Sequence, residues 1–281
     1  MSSAHPIVAT TVPSGMICLR CDAAWPVETY AAGCPRCASE GHASNLKLVY
    51  ADRSRGIRLP ETLELGEGGT RCVELPTLAQ TMKVGRLTAK LEWCNPTGSH
   101  KDRMSARLIA RALSCNVPLV VAASSGNGGL SIAAYAARAG LPTEIAVTAA
   151  LAPSYRRAIA AHGARLVEAP DSLGRWEHLA HRVTEGAFAA TNYRLPAIGT
   201  DPFGIEGYKT LSAELSGSER PDIIVVPSSR GDLLSGLRLG FEEIGGIPPR
   251  LIAVEPFPRL ARVMAGEDYR LRYEGHTAQV S

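Results

Sequence analysis

From residue 118 onward the chain alternates short apolar runs with helical stretches, and this alternation restricts the possible folds more than any other feature. Pro118-Leu-Val-Val-Ala-Ala reads as a buried strand, Ser124-Ser-Gly-Asn-Gly-Gly as a turn, and Leu130 to Ala139 as a helix stopped by Gly140. The unit then recurs. Thr143-Glu-Ile-Ala-Val-Thr leads to a helix from about Pro153 to His162, and Ala164-Arg-Leu-Val-Glu-Ala to one running through Trp176 to Glu185. Asp222-Ile-Ile-Val-Val-Pro leads to a helix from about Asp232 to Glu243, and Leu251-Ile-Ala-Val-Glu-Pro to Arg259 through Met264. Apolar strands separated by helices form parallel sheets covered on both faces, an α/β class. Ligands in such folds sit at the carboxyl ends of strands, where helix N-termini offer unpaired N–H groups. The SSGNGG turn and the stretch after Val226 both occupy that kind of position.

Ahead of this body lie Cys18-Leu-Arg-Cys21 and Cys34-Pro-Arg-Cys37, with twelve residues between the pairs. Each Cys-x-x-Cys aims two thiolates at one ion, and two such knuckles complete the tetrahedral shell that zinc prefers. Four thiolates leave no open position, so the expected zinc is structural, holding a segment of residues 1–45 that burial alone would not stabilise. Four unrelated reduced cysteines, or a redox pair, are the alternative. Cys72, Cys94 and Cys115 read as small buried apolar residues.

A hydrophobic share of 45% over 281 residues suffices for a sizeable core, and 30 basic against 27 acidic residues give a net charge of +3. That balance, and a cysteine segment without a dense basic patch, argue against nucleic acid as a partner. The first fifteen residues carry no basic stretch ahead of an apolar core, and the apolar run from Ser131 to Leu151 is broken by Arg138, Pro142 and Glu144. A cytoplasmic protein that makes no use of a membrane is expected.

One lysine stands out in Asn95-Pro-Thr-Gly-Ser-His-Lys101-Asp-Arg. It falls where a helix is expected to begin, and a helix start already carries a partial positive charge. Taken alone, Lys101 is a solvated surface cation. In order along the chain, however, stand Leu65-Gly-Glu-Gly-Gly-Thr70, Lys90-Leu-Glu-Trp-Cys-Asn-Pro-Thr-Gly-Ser-His-Lys101-Asp-Arg, Ser124-Ser-Gly-Asn-Gly, Ile205-Glu-Gly-Tyr-Lys209 and Arg250-Leu-Ile-Ala-Val-Glu255. This series resembles the fold-type II pyridoxal-phosphate enzymes, and within them the threonine synthase branch, in which an amino-terminal Cys-x-x-Cys segment also occurs. The resemblance implies an α/β fold like that of the tryptophan synthase β chain, with two parallel-sheet lobes in residues 46–281. The smaller lobe would be inserted at about residues 95–200, and a small zinc ribbon would precede the body. It further implies that Lys101 forms a Schiff base with pyridoxal 5'-phosphate and shuttles the Cα proton of a small amino-acid substrate. By the same pattern Ser124, Ser125, Gly126 and Gly128 hold the substrate, Asn127 contacts the cofactor ring, and Ser229, Arg230 and Gly231 lie at its phosphate.

Four departures from the family pattern bear on function. Where relatives carry a glycine-rich phosphate cup, this chain reads Ser228-Ser-Arg-Gly-Asp-Leu233. Asp232 there would repel a phosphate, while Arg230 would either clamp it or form a solvated pair with Asp232. Asp201-Pro-Phe-Gly204 stands where threonine synthases carry Asn-Pro-x-Arg, so an anchor for a substrate phosphate is missing. His100, phenylalanine in most close relatives, either contacts the cofactor phosphate or fills space. Finally, the ending Glu274-Gly-His-Thr-Ala-Gln-Val-Ser281 resembles the start of the family's last segment, so the body reads as cut short and the pyridine nitrogen has no identifiable partner. A homodimer is expected, or a partner chain that completes the body and covers apolar sheet. The expected function is a carbon-oxygen lyase acting on a small amino acid by elimination or replacement. A degenerate non-catalytic paralogue with a binding or assembly role is the alternative.

Overall fold

The computed structural model describes residues 8–52, 56–217 and 220–271. Strands β1 (Val8–Thr10), β2 (Gly15–Cys18) and β3 (Ala24–Trp25) are followed by α1 (Pro35–Ser39), β4 (Leu46–Val49), β5 (Ile57–Leu59) and β6 (Cys72–Glu74). Then come α2 (Pro76–Met82), β7 (Thr88–Lys90), a 3₁₀ turn at Glu92–Cys94, α3 (Lys101–Ser114), β8 (Val120–Ala123), α4 (Asn127–Ala139) and β9 (Thr143–Val147). The remainder is α5 (Pro153–Ala161), β10 (Arg165–Glu168), α6 (Ser172–Thr184), β11 (Phe188–Ala189), α7 (Pro202–Leu215), β12 (Ile223–Pro227), α8 (Asp232–Ile244), β13 (Arg250–Val254) and α9 (Leu260–Met264).

The alternation after residue 118 builds a four-stranded parallel sheet in the order β10-β9-β8-β11, and β12 pairs with β13 in a second parallel sheet. Strands β8 and β9 are buried along their length, as parallel strands covered on both faces must be. Met104, Leu108 and Ile109 of α3, Ile132 and Tyr135 of α4, and Ile145 and Val147 of β9 share the main core with Tyr208 of α7. On the other parallel sheet Ile223, Val225 and Val254 are exposed.

Helix α7 was not legible as a helix, and its composition explains why. Gly204 and Gly207 weaken helix propensity, yet both are required by packing. α7 lies between α3 and α8, and a Cβ on Gly207 would stand 1.8 Å from the Arg103 carbonyl oxygen. On the opposite side a Cβ on Gly236 of α8 would stand 2.3 Å from Tyr208 Cβ. The bare glycines let three helices approach closely, which sets the start of α3 and the loop before α8 on either side of one cleft.

The amino-terminal segment folds as an antiparallel sheet of order β3-β2-β4. Its last strand runs to Val49, past the boundary expected at residue 45. It does not stand alone. Phe203 of α7 completes its core beside Met16, Leu46 and Leu48, the Asn45 amide donates to the Thr200 carbonyl at 2.8 Å, and the Tyr50 hydroxyl donates to Glu206 at 2.7 Å. Buried Lys209 then joins Glu206 to Glu243 of α8, at 2.6 Å to each.

Cys72, Cys94 and Cys115 are exposed, contrary to the expectation that they are buried. Each sits where an element is thin or ending: on a two-stranded ribbon, in the 3₁₀ turn, and at the C-cap of α3. Such positions have nothing above them to cover a side chain. Among the described residues no helix is long and apolar enough to cross a membrane.

Candidate active site and cysteine centre

The loop that delivers Lys101 is fixed by the residues around it. The Asp102 carboxylate accepts the Thr97 N–H at 2.6 Å and the Thr97 hydroxyl, closing the turn that precedes α3. The Asn95 amide donates to the Glu92 carbonyl at 2.7 Å, and its oxygen accepts the Gly68 N–H at 2.9 Å, tying in the LGEGGT stretch. Arg103 is 2% exposed and its guanidinium lies between two carboxylates, 2.8 Å from Glu92 and 2.6 Å from Glu214, with Lys90 also paired to Glu214. Thr70 and Thr210 take part in the same network. Only the lysine of Lys101-Asp-Arg is left over. Among the described residues nothing hydrogen-bonds or ion-pairs with its amine, which faces a cleft.

That cleft is lined by His100, Lys101 and Met104 from the start of α3, by Ser124, Ser125 and Gly128 from the β8–α4 turn, and by Ser229, Arg230, Gly231 and Asp232 from the β12–α8 loop. Both turns stand at the carboxyl ends of parallel strands. Seven of the residues singled out from sequence thus converge here with the lysine. Asn127 and Gly126, expected at the cofactor and the substrate, are not among the residues that line the cleft. The Asn127 side-chain oxygen instead accepts the Tyr155 hydroxyl of α5, and the Gly126 carbonyl accepts the Gly129 and Leu130 N–H groups at the start of α4. The Ser124 hydroxyl is also committed, accepting the Gly126 and Gly129 N–H groups at 3.3 and 2.8 Å. Ser125 and the Gly128 backbone remain open to a ligand.

Opposite them the β12–α8 loop has the form of an anion cradle. Gly231 is left-handed at φ 85°, and a Cβ added to it would meet no protein atom within 4 Å, so it would project into open space of the cleft. Beyond it the first turn of α8 presents N–H groups that have no acceptor among the described residues. Asp232 does not pair with Arg230. Its carboxylate accepts the Thr200 N–H at 3.2 Å, while the Arg230 guanidinium lies 5.5 Å over the Trp176 ring.

Electrostatics in the cleft favour neutral bases. Burial pushes the Lys101 amine below its ordinary range; the Asp232 charge opposes that shift and Arg230 adds to it. Burial and the neighbouring Lys101 charge hold the His100 imidazole down to about 3, so the ring packed 5.8 Å from Tyr208 is neutral at physiological pH. Gly204, which stands where the threonine synthase pattern has an arginine, sits in the α3–α7 interface. A Cβ there would stand 2.7 Å from a Thr200 methyl and 3.0 Å from Met104, which leaves no room for a long side chain.

Four lining residues had no sequence signal: Met104, Arg175, Thr191 and Thr200. Thr191 accepts the Ala123 N–H at 2.8 Å and so pins the end of β8, a contact that no local pattern encodes.

The four cysteines do meet. Their sulfurs all lie within 4.8 Å of one another, with Cys18 to Cys37 at 3.7 Å and Cys21 to Cys34 at 3.8 Å. Zinc with Zn–S bonds of about 2.3 Å sets tetrahedral sulfurs about 3.8 Å apart, so the cluster fits that ion. Although burial opposes the thiolate, the Cys21 and Arg20 N–H groups hold Cys18 down to about 6.

The architecture is that of a fold-type II enzyme. A cysteine synthase from Entamoeba histolytica superimposes with a TM-score of 0.61 over 71% of this chain and 61% of that one, at 22% identity, which speaks for the fold alone. The family model described as pyridoxal-phosphate dependent enzyme matches residues 63–279, and the chain belongs to that family. Threonine synthases are among its relatives: the Methanosarcina acetivorans protein is 30% identical over 187 residues, 65% of this chain and 45% of that one. The Methanocaldococcus jannaschii protein is 30% identical over 209 residues, 72% of this chain and 49% of that one. The chain spans about half the length of these synthases.

Proposed function

We propose that the chain is a threonine synthase-like, pyridoxal-phosphate-dependent lyase acting on a small amino acid by elimination or replacement, with Lys101 as the Schiff-base lysine. The carrying observation is the unpartnered Lys101 amine, held at the mouth of α3 by a fully engaged loop and facing two strand-end turns. When bound, the cofactor supplies an electron sink that weakens the bonds at the substrate Cα. The chain does the rest. Lys101, its amine pushed below its ordinary range by burial, takes up and returns the Cα proton. The Gly128 N–H and Ser125 orient the substrate carboxylate, and Ser229, Arg230 and Gly231 hold the cofactor phosphate, with His100 beside them as a neutral donor. Gly204 weighs against a substrate whose phosphate needs an arginine at that position.

Purified protein titrated with pyridoxal 5'-phosphate, beside Lys101→Ala, tests this reading. A visible absorption band in the wild type that the variant lacks is expected. A folded wild type with no band would overturn the reading and favour the second one, a binding protein without turnover, for which Asp232 in the cradle and the committed Ser124 hydroxyl speak. We likewise place structural zinc at Cys18, Cys21, Cys34 and Cys37. Metal analysis should find about one zinc per chain, and chelation should lower the thermal midpoint because Phe203 ties the cysteine segment to α7.

A further inference from the structure

We infer that Arg175 of α6 and Arg230 of the β12–α8 loop form a guanidinium clamp for a phosphomonoester, the cofactor's own phosphate, which takes over from a glycine-rich cup. This rests on the cleft being the pyridoxal-phosphate site. Both arginines line it, one from each side, and neither ion-pairs with a carboxylate among the described residues. Arg175 Nε is buried without a hydrogen-bond partner, and only one of its terminal nitrogens is used, on Ser172 at 3.1 Å. A buried orphan donor on a cation is costly unless a ligand meets it.

The geometry brings the two together. Arg230 reaches across to lie over Trp176, the residue after Arg175 on α6. Burial and the neighbouring Arg230 charge make the charged form of Arg175 less favourable than usual. An anion between them reverses that repulsion. Two guanidiniums match the charge of a phosphomonoester, which approaches −2 at neutral pH, and each offers a bidentate fork to its oxygens. Asp232 is the sole carboxylate among the described lining residues, and the Thr200 N–H and the start of α8 offset it. The cofactor is favoured as the source because the same loop carries Gly231 and shares the cleft with Lys101.

The test compares wild type, Arg175→Gln and Arg175→Lys in titrations with pyridoxal 5'-phosphate, with pyridoxal, and with inorganic phosphate followed by calorimetry. Circular dichroism checks that the variants remain folded. Arg175→Gln should weaken pyridoxal 5'-phosphate and inorganic phosphate by about tenfold or more and leave pyridoxal unchanged, with partial recovery in Arg175→Lys. Unchanged pyridoxal 5'-phosphate affinity beside weakened phosphate would overturn the assignment to the cofactor, since the clamp would then serve a substrate anion. Equal phosphate binding by wild type and Arg175→Gln would overturn the clamp itself. Failure of the Lys101 reading is separable: no visible band forms in any variant, whereas the phosphate calorimetry still reports on Arg175.

Discussion

Lys101 and Arg103 are two residues apart on one helix, and they meet opposite fates. Arg103 is 2% exposed with its guanidinium shared between Glu92 and Glu214 and bonded also to Thr70 and Thr210. Lys101 is half-buried with no protein partner for its amine among the described residues. The two cations read alike in sequence. What separates them is whether the fold has already supplied the counter-charge: a satisfied cation holds structure together, and an unsatisfied one at a strand-end cleft waits for a ligand. Arg175 and Arg230 belong to the second kind.

The largest expected effect breaks the satisfied side. Arg103→Leu leaves partly buried Glu92 without a cation and Glu214 with Lys90 alone, and removing one member of a buried ion pair costs about 3–5 kcal/mol. Urea unfolding should show a correspondingly lower midpoint. A loss below about 1 kcal/mol would mean that the network is ornamental and that the contrast with Lys101 is one of exposure only.

Next comes Gly207→Ala. The added methyl would fall 1.8 Å from the Arg103 carbonyl oxygen, a backbone atom that cannot swing aside, so α3 and α7 must separate. Overpacking of this sort costs about 1–3 kcal/mol. Because the same shift moves the start of α3, cofactor affinity should fall with stability in one variant, whereas Arg175→Gln lowers affinity alone. Unaltered stability would show that the interface is looser than the contact implies.

The elements around these two cations differ in how far the sequence reveals them. Strands β8, β9, β10, β12 and β13 and helices α4, α5, α6 and α8 follow patterns local to a few residues, so their apolar runs and glycine stops were readable. α7 was not, because Gly204 and Gly207 answer to a neighbouring helix rather than to their own. Asn127 belongs to a motif, but Tyr155 engages its side chain from a different helix. Arg175 belongs to no motif at all, and only the approach of α6 to the β12–α8 loop gives it meaning. The exposed Cys72, Cys94 and Cys115 make the same point in reverse: residue type suggests burial, and tertiary position decides it.

The smallest effect, and the sharpest test of the contrast, lies in pH. Burial alone would raise the Glu92 and Glu214 carboxyls, yet the hydrogen bonds and charge of Arg103 outweigh it and leave both below the usual carboxylate range. With folded values below unfolded ones of about 4.3, the stability they contribute is fully present above the unfolded value and is lost as pH falls through the folded values. Lys101 carries the opposite burden. Its folded value is depressed below about 10.4, so the folded state binds fewer protons there, and stability rises as pH climbs from the folded value toward the unfolded one. Urea midpoints measured between about pH 3 and 6 should therefore fall with acid in wild type and in Lys101→Ala alike, and flatten in Arg103→Leu. As pH climbs toward about 10 the wild-type curve should rise, and Lys101→Ala, freed of the cost of burying a charge, should start higher and rise less. Parallel curves for wild type and Lys101→Ala across the alkaline range would mean that the amine is solvated, and Lys101 would then differ from Arg103 only in lacking a partner.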